Sequence, residues 1–216
     1  GKSEILAAFI AAMTTGKSWL GAQGQAPRSV LLVSEEGDHD LLDKAVKYGA
    51  DKNFLRIHSR DAIGVPQNWT KLIKGCVKEA TRTNATILVI DTFSFWAAIE
   101  GEGERSEGVI RECMLALQPA RSAGLATVLA HHSVKAEDVE GIAALRGSGA
   151  FGGAVESVGI FKRASKDPLP PKRKLDVFSR IAPNTPQMVE RVDGGQAALR
   201  LLDRESGART NALGPV

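Results

Sequence analysis

Three short runs of branched apolar residues, each closing on polar or acidic residues and separated by helix-length sequence, constrain this chain more than anything else in it. They are Val30-Leu31-Leu32-Val33 before Ser34-Glu35-Glu36-Gly37, Ile87-Leu88-Val89-Ile90 before Asp91-Thr92, and Ala126–Ala130 before His131-His132. Continuous apolar runs of this length mark strands covered on both faces, which occur almost only in parallel sheets with helices on either side. Parallel neighbours need crossover connections, and the intervening sequence supplies them. Asp38–Ala50, Trp69–Thr83 and Val109–Ala123 read as helices, and Phe54–His58 reads as a further short strand. Ahead of the first run, Glu4–Thr15 sets Ile5, Leu6, Phe9, Ile10 and Met13 on a helical repeat, with Gly16 as its stop.

The pattern changes toward the C-terminus. A polar Gly/Glu/Ser loop is expected over Glu100–Gly108, and beyond Val158 the runs become short and alternating: Val158–Phe161, Lys174–Ser179, Met188–Val192 and Ala198–Leu202, parted by Pro- and Gly-rich turns. The expected fold is therefore α/β: a mostly parallel central sheet flanked by helices, with a C-terminal β-hairpin extension of the same sheet. One domain over residues 1–205 and a flexible tail over 206–216 account for the 216 residues. With 43% hydrophobic and 25% charged residues, disordered, collagenous and disulfide-framework classes are excluded. Cys76 and Cys113 lie far apart with no CxxC spacing, which excludes a zinc knuckle or redox motif and points to a reducing, cytoplasmic setting. Twenty-eight Lys and Arg against 25 Asp and Glu leave a net charge of +3, too small by itself to imply nucleic acid. Ile5–Met13 resembles a signal-peptide core, but Glu4 stands at its edge and no clean cleavage site follows. No run approaches the ~20 apolar residues of a membrane span, so no membrane partner is expected.

The residues with chemical potential fall at the ends of these elements. Gly1-Lys2-Ser3 runs straight into a helix, as the second half of a GxxxxGK[ST] phosphate loop does. Amides at a helix N-terminus point at an anion, a lysine reaches the terminal phosphates, and a serine hydroxyl ligates magnesium. Three residues that merely start a helix are the plain alternative. The chain opens without methionine in the middle of that motif, so a fragment or trimmed chain is expected, one that binds nucleotide weakly as it stands. A second Gly-Lys-Ser, Gly16-Lys17-Ser18, lies at the wrong end of the same helix, where carbonyls are exposed, and reads as a decoy.

Asp91 closes a buried strand at the sheet edge where open α/β sheets bind ligands, a position from which it can hold the magnesium of a nucleotide through its water shell. Glu35, at the end of the neighbouring strand, can orient an attacking water; alternatively the acids there cap the next helix, with Asp38 as the cap. His131 and His132 point to opposite faces of a strand and so do not readily chelate one metal; one can face a terminal phosphate as a sensor while the other packs. His39 and His58 read as ordinary residues. Gly147, Gly149 and Gly152 match GxGxxG but do not follow a clear strand, so a glycine-rich segment contacting DNA or a neighbouring subunit is the better reading.

Taken in order, GKS-helix, LLVSEEG, ILVIDT, VLAHH and LRGSGAFGGAVESVGIFKR resemble the RecA-type P-loop ATPase core, and within it the RepA-like hexameric helicase ATPase domains. Even TTGKSWLG is similar to the TG-x-x-WLG stretch of such domains. The resemblance covers about residues 1–165. It implies a RecA-like P-loop NTPase fold with ATP and Mg2+ as cofactors. Gly1, Lys2, Ser3 and Glu4 would lie against the nucleotide, with Lys2 as phosphate clamp and Ser3 and Asp91 as metal ligands. Glu35 would activate water, and His132 would be the sensor. It also implies a homo-oligomeric ring, such as a hexamer, in which an arginine from the adjacent subunit, Arg146 or Arg163, completes the site. Two functions follow as expectations. One is a ring-forming, helicase-type motor acting on single-stranded DNA in replication of a plasmid, phage or mobile element, with Lys162, Arg163, Lys166, Lys172, Arg173 and Lys174 as basic residues; Pro168–Lys174 reads more readily as a solvated turn than as a DNA contact. The other is a nucleotide-gated DNA-binding or regulatory ATPase without translocation.

Overall fold

The computed structural model describes residues 2–64, 68–99, 101–132, 148–163, 172–180, 187–192 and 198–202. It opens with α1 (Lys2–Thr15), whose alanines Ala7, Ala8 and Ala11 are buried with Tyr48. Small side chains there let a second helix approach closely. That helix is α2 (Asp38–Tyr48), reached through β1 (Val30–Ser34) and followed by β2 (Leu55–Ser59). The first-turn acids of α2, Asp38 and Asp40, suit the positive end of its dipole. Its capping acceptor comes from elsewhere, however: Asp61 Oδ2, in α3 (Arg60–Ile63), accepts from the Asp38 amide at 3.2 Å. Asp38 is thus the capped residue and not the cap.

Helix α4 (Trp69–Thr83) begins where Asn68 Oδ1 accepts from the Lys71 amide at 2.8 Å and ends at Asn84, whose φ of 52° turns the chain out. It leads into β3 (Ile87–Asp91) and the single turn α5 (Phe93–Trp96). All five residues of β1 and of β3 are buried, as their composition demands. The expected loop at Glu100–Gly108 holds a 3-10 turn at Gly103–Arg105, and α6 (Glu107–Leu115) starts inside it, capped by Ser106 Oγ. The single helix expected over Val109–Ala123 is two: α6, then α7 (Gln118–Ser122), with Pro119 in the first turn of the second. Proline has no N–H to continue the first ladder but fits the start of a new one.

Strand β4 (Ala126–Leu129) completes a parallel sheet of order β2-β1-β3-β4. None of its four residues is fully buried, which corrects the expectation of a third covered strand: β4 is an edge of the described sheet. After α8 (Ser148–Ala154) come β5 (Ser157–Arg163), β6 (Lys172–Ser179), β7 (Gln187–Val192) and β8 (Ala198–Leu202). These pair antiparallel in sequence order and form a sheet of their own. The hairpins do not extend the parallel sheet among the described residues; each strand finds its partner in the next one along the chain. Residues 206–216, expected as a tail, lie outside the described residues. No helix among those described is long and apolar enough to cross a membrane.

Two apolar layers hold the parallel sheet. One side joins Leu31, Val33, Leu88 and Ile90 to Trp69, Ile73, Phe93 and Phe151; the other joins Val30, Leu32 and Val89 to Ile10 and Leu41. Alternate residues of the same strand therefore face opposite layers, as the two-residue period requires.

Candidate active site at the strand ends

Parallel pairing in register brings Ser34 of β1 beside Asp91 of β3. The strands stay tied one residue further, since the Glu35 amide donates to the Asp91 carbonyl at 2.7 Å and the Phe93 amide to the Ala130 carbonyl at 2.7 Å. The peptide between Asp91 and Thr92 is cis. The three strand ends and the start of α1 thereby gather Lys2, Ser3, Glu35, Glu36, Asp91 and His132, residues up to 130 positions apart in sequence.

Lys2 is the hub of this group. Its Nζ lies 3.0 Å from His132 Nδ1. An ammonium only donates, so Nδ1 accepts and the ring proton belongs on Nε2. Burial lowers the Lys2 pKa, while Asp91 and then Glu35 act in the opposite sense. The His132 pKa is lowered by burial and by the charge of Lys2, against Glu35. Asp91, only 5% exposed, is pushed up to about 6, first by burial and next by the like charge of Glu36; Lys2 opposes this, Glu35 adds to it, and Lys44 opposes it.

Beside Asp91 a narrow cleft opens between α1, α2 and the sheet, with Ser3, Glu36, Lys44 and Asp91 as its polar members. Here Lys44 Nζ bonds both carboxylate oxygens of Glu36. Glu36 and Lys44 were not legible as site residues. The only signal was the second acid of the Glu-Glu pair, and a lysine eight positions later becomes its partner only because α2 bends back from the strand end. No hydrogen bond or ion pair engages the Glu35 carboxylate among the described residues. Ser3 and Asp91 offer hard oxygen ligands in one cleft, where the Glu36 carboxylate is already paired with Lys44. That donor set fits magnesium, which takes one or two protein oxygens alongside phosphate and water. Among the described residues no cluster of three or more His, Cys, Asp or Glu ligands is present.

Other expected positions resolve differently. Glu4 stands apart from the Lys2 group: its carboxylate accepts from Tyr48 Oη and from Lys47 Nζ at 3.2 Å, tying α1 to α2. His131 packs, with ring centroids 5.6 Å from Phe93 and 5.1 Å from Phe151. The decoy motif lies at the C-terminal end of α1, where Gly16 has φ +72° and a Cβ would meet the Gln25 carbonyl at 2.3 Å; Lys17 and Ser18 are exposed. Gly149 sits in α8 against Glu107, whose carboxylate a Cβ would meet at 2.1 Å, so this glycine serves packing. Gly1, Arg146 and Gly147 lie outside the described residues, and Arg163 is placed only by its position on β5.

Comparison with known proteins bears on the family and the fold. A family model described as an AAA domain matches residues 1–138. No curated protein matches the chain. The solved structure of a KaiC-like protein from the hyperthermophilic archaeon Pyrococcus horikoshii OT3 aligns with a TM-score of 0.63 at 17% identity, covering 93% of this chain and 86% of that one. At that identity the likeness speaks for the fold alone. With more than half of its length matched by the family model and its nucleotide-type residues gathered at one sheet edge, the chain belongs to the AAA domain family and is a RecA-like ATPase domain.

Proposed function

We propose that the domain binds ATP with magnesium at the β1, β3 and β4 strand ends and hydrolyses it to drive a ring-forming, helicase-type motor on single-stranded DNA. The observation that carries the ATPase site is the convergence of Lys2, Glu35, Asp91 and His132 on one edge. Phosphoryl transfer needs positioning and charge stabilisation more than covalent help, and these residues divide that work. Lys2 gives its ammonium to the terminal phosphates, exchanging His132 for a phosphate oxygen. Ser3 and Asp91 would hold magnesium, which would supply positive charge against the phosphates. The uncommitted Glu35 carboxylate accepts a hydrogen bond from the attacking water and aims it. His132, released from Lys2, turns to the terminal phosphate as a sensor. A neighbouring subunit supplies an arginine, Arg146 or Arg163, and closes the ring.

For DNA, the support is the basic β5–β6 hairpin, where Lys162 pairs opposite Lys174 and Arg163 opposite Arg173. One observation favours the second reading, a nucleotide-gated regulatory ATPase without translocation: Lys174 already pairs with Asp176 at 3.1 Å, and Lys172 sits opposite Glu190. Steady-state ATP hydrolysis by the full-length protein, with and without single-stranded DNA and with Lys2→Ala as the blank, separates them. Lys2-dependent turnover stimulated by DNA supports the motor; Lys2-dependent turnover indifferent to DNA supports the switch.

A further inference from the structure

The third residue of α1 is an acid, Glu4, directly after Lys2 and Ser3. The opening amides of a helix have no partner inside it, and a glutamate at the third position is the one whose carboxylate can fold back over them. Those amides, at the positive end of the helix dipole, are also what a phosphate would use. In this chain the Glu4 carboxylate is engaged by α2. One oxygen accepts from Tyr48 Oη, and Lys47 Nζ lies 3.2 and 3.4 Å from the two oxygens. Both partners are the last residues of α2, and Lys47 Nζ also lies 5.6 Å from the centre of the Tyr48 ring. Tyr48 is buried with Ala7, Ala8 and Ala11 of α1, and the Glu4 side chain is only 23% exposed, so this group is seated in the contact between the two helices.

We propose that Lys47 and Tyr48 are positioning residues for nucleotide binding: by holding the Glu4 carboxylate on α2 they keep it from capping its own helix, and leave the first amides of α1 and the Lys2 ammonium to the phosphates. This rests on the ATPase reading above and adds to it a control on affinity exerted from the C-terminal end of α2. A carboxylate released from α2 competes with the phosphates twice, for the same amides and by its like charge beside them. Affinity suffers from that competition, whereas the strand-end residues of β1 and β3, which act in the chemical step, are untouched.

The test measures equilibrium binding of a fluorescent ATP analogue with magnesium, and kcat for ATP, in the full-length protein carrying Tyr48→Phe, the Lys47→Met/Tyr48→Phe pair, Glu4→Gln, and all three changes together. Tyr48→Phe keeps the ring that packs on α1 and removes only the hydroxyl. The Lys47→Met/Tyr48→Phe pair is expected to weaken binding on the order of tenfold with kcat within about twofold. Glu4→Gln removes the charge itself and should bind the analogue at least as tightly as wild type; in its background the pair should change binding by about twofold or less, because no carboxylate remains to be held. A bond that served only to fasten α1 to α2 would give another pattern, since Glu4→Gln breaks it as surely as the pair does. Equal weakening by Glu4→Gln and by the pair therefore overturns the proposal, as does a pair that binds like wild type. Should the pair not fold, Tyr48→Phe and Glu4→Gln alone decide it: weaker binding in the first with none lost in the second upholds the proposal, and any other result overturns it. The parent reading is judged separately by Lys2→Ala: binding and turnover that survive this change remove the ATPase site itself, whereas Lys2-dependent binding with no response to Lys47 and Tyr48 removes only their role.

Discussion

The parallel and antiparallel sheets of this chain carry opposite kinds of sequence. β1 and β3 are buried along their whole length and end on Ser34 and Asp91, whereas β6 and β7 mix buried Leu175 and Val189 with charged, half-exposed neighbours. A strand covered on both faces has no polar position to spare, so its chemistry is displaced to its C-terminal end, where the backbone turns toward a helix. A strand with one wet face carries its charges along its length instead. The first arrangement concentrates a reactive group; the second spreads a surface.

The largest effect that tests this contrast is on turnover. Lys2→Ala should reduce ATP hydrolysis by at least a hundredfold, since a fixed charge on the transferring phosphate is among the largest contributions an active site makes. Glu35→Gln should leave binding of a fluorescent ATP analogue near wild type and slow hydrolysis on the order of a hundredfold; equal losses in both would deny it a role confined to the chemical step. On stability the sheets should differ clearly. Leu88→Ala, at 0% exposure in β3, is expected to cost about 3 kcal/mol in denaturant unfolding. Val177→Ala on the half-buried face of β6 should cost about 1 kcal/mol or less. Similar values for the two would show that burial does not separate the sheets energetically.

A subtler effect concerns pH. Asp91 is pushed up to about 6 from 3.8, mainly by burial. An acid whose pKa is raised by folding binds its proton more tightly in the folded state, so its contribution to stability is present below pH ~4 and lost as pH rises through ~6. Asp91→Asn should therefore make the metal-free protein more stable at pH 7.5, on the order of 2 kcal/mol, and flatten its stability between pH 4 and 6. A variant less stable than wild type at pH 7.5 would reverse that sign. The smallest expected change lies on the antiparallel sheet. Lys162→Glu should weaken DNA stimulation of turnover and lower the salt slope of DNA binding by about one; an unaltered slope would remove the hairpin from the DNA reading.

Much of this was legible in the residues. The runs Val30–Val33 and Ile87–Ile90 could only be covered parallel strands, because four successive branched apolar residues cannot be satisfied on a one-faced surface. Helix α4 was readable to its ends from Trp69 to Thr83, since Asn at each boundary supplies the local capping chemistry. Glu35, Asp91 and His132 were identifiable as strand-end residues for the same reason. The failures are equally physical. Helical periodicity continues through Pro119, so the break between α6 and α7 was hidden in an otherwise unbroken pattern. Ala126–Ala130 has the composition of a covered strand, yet whether a strand is central or at an edge depends on neighbours that its own residues do not encode.

What the sequence by itself determined is the set of elements and the polar residues placed at their ends, because burial and capping act over a few neighbouring positions. Only the tertiary structure decided which of those residues meet. The contact of Lys2 with His132 spans 130 positions, the bond of Asp61 to the start of α2 spans 23, and it is Glu36, not Glu35, that pairs with Lys44 eight positions on. Such pairings depend on strand order and helix packing, which are properties of the whole chain and of no segment within it.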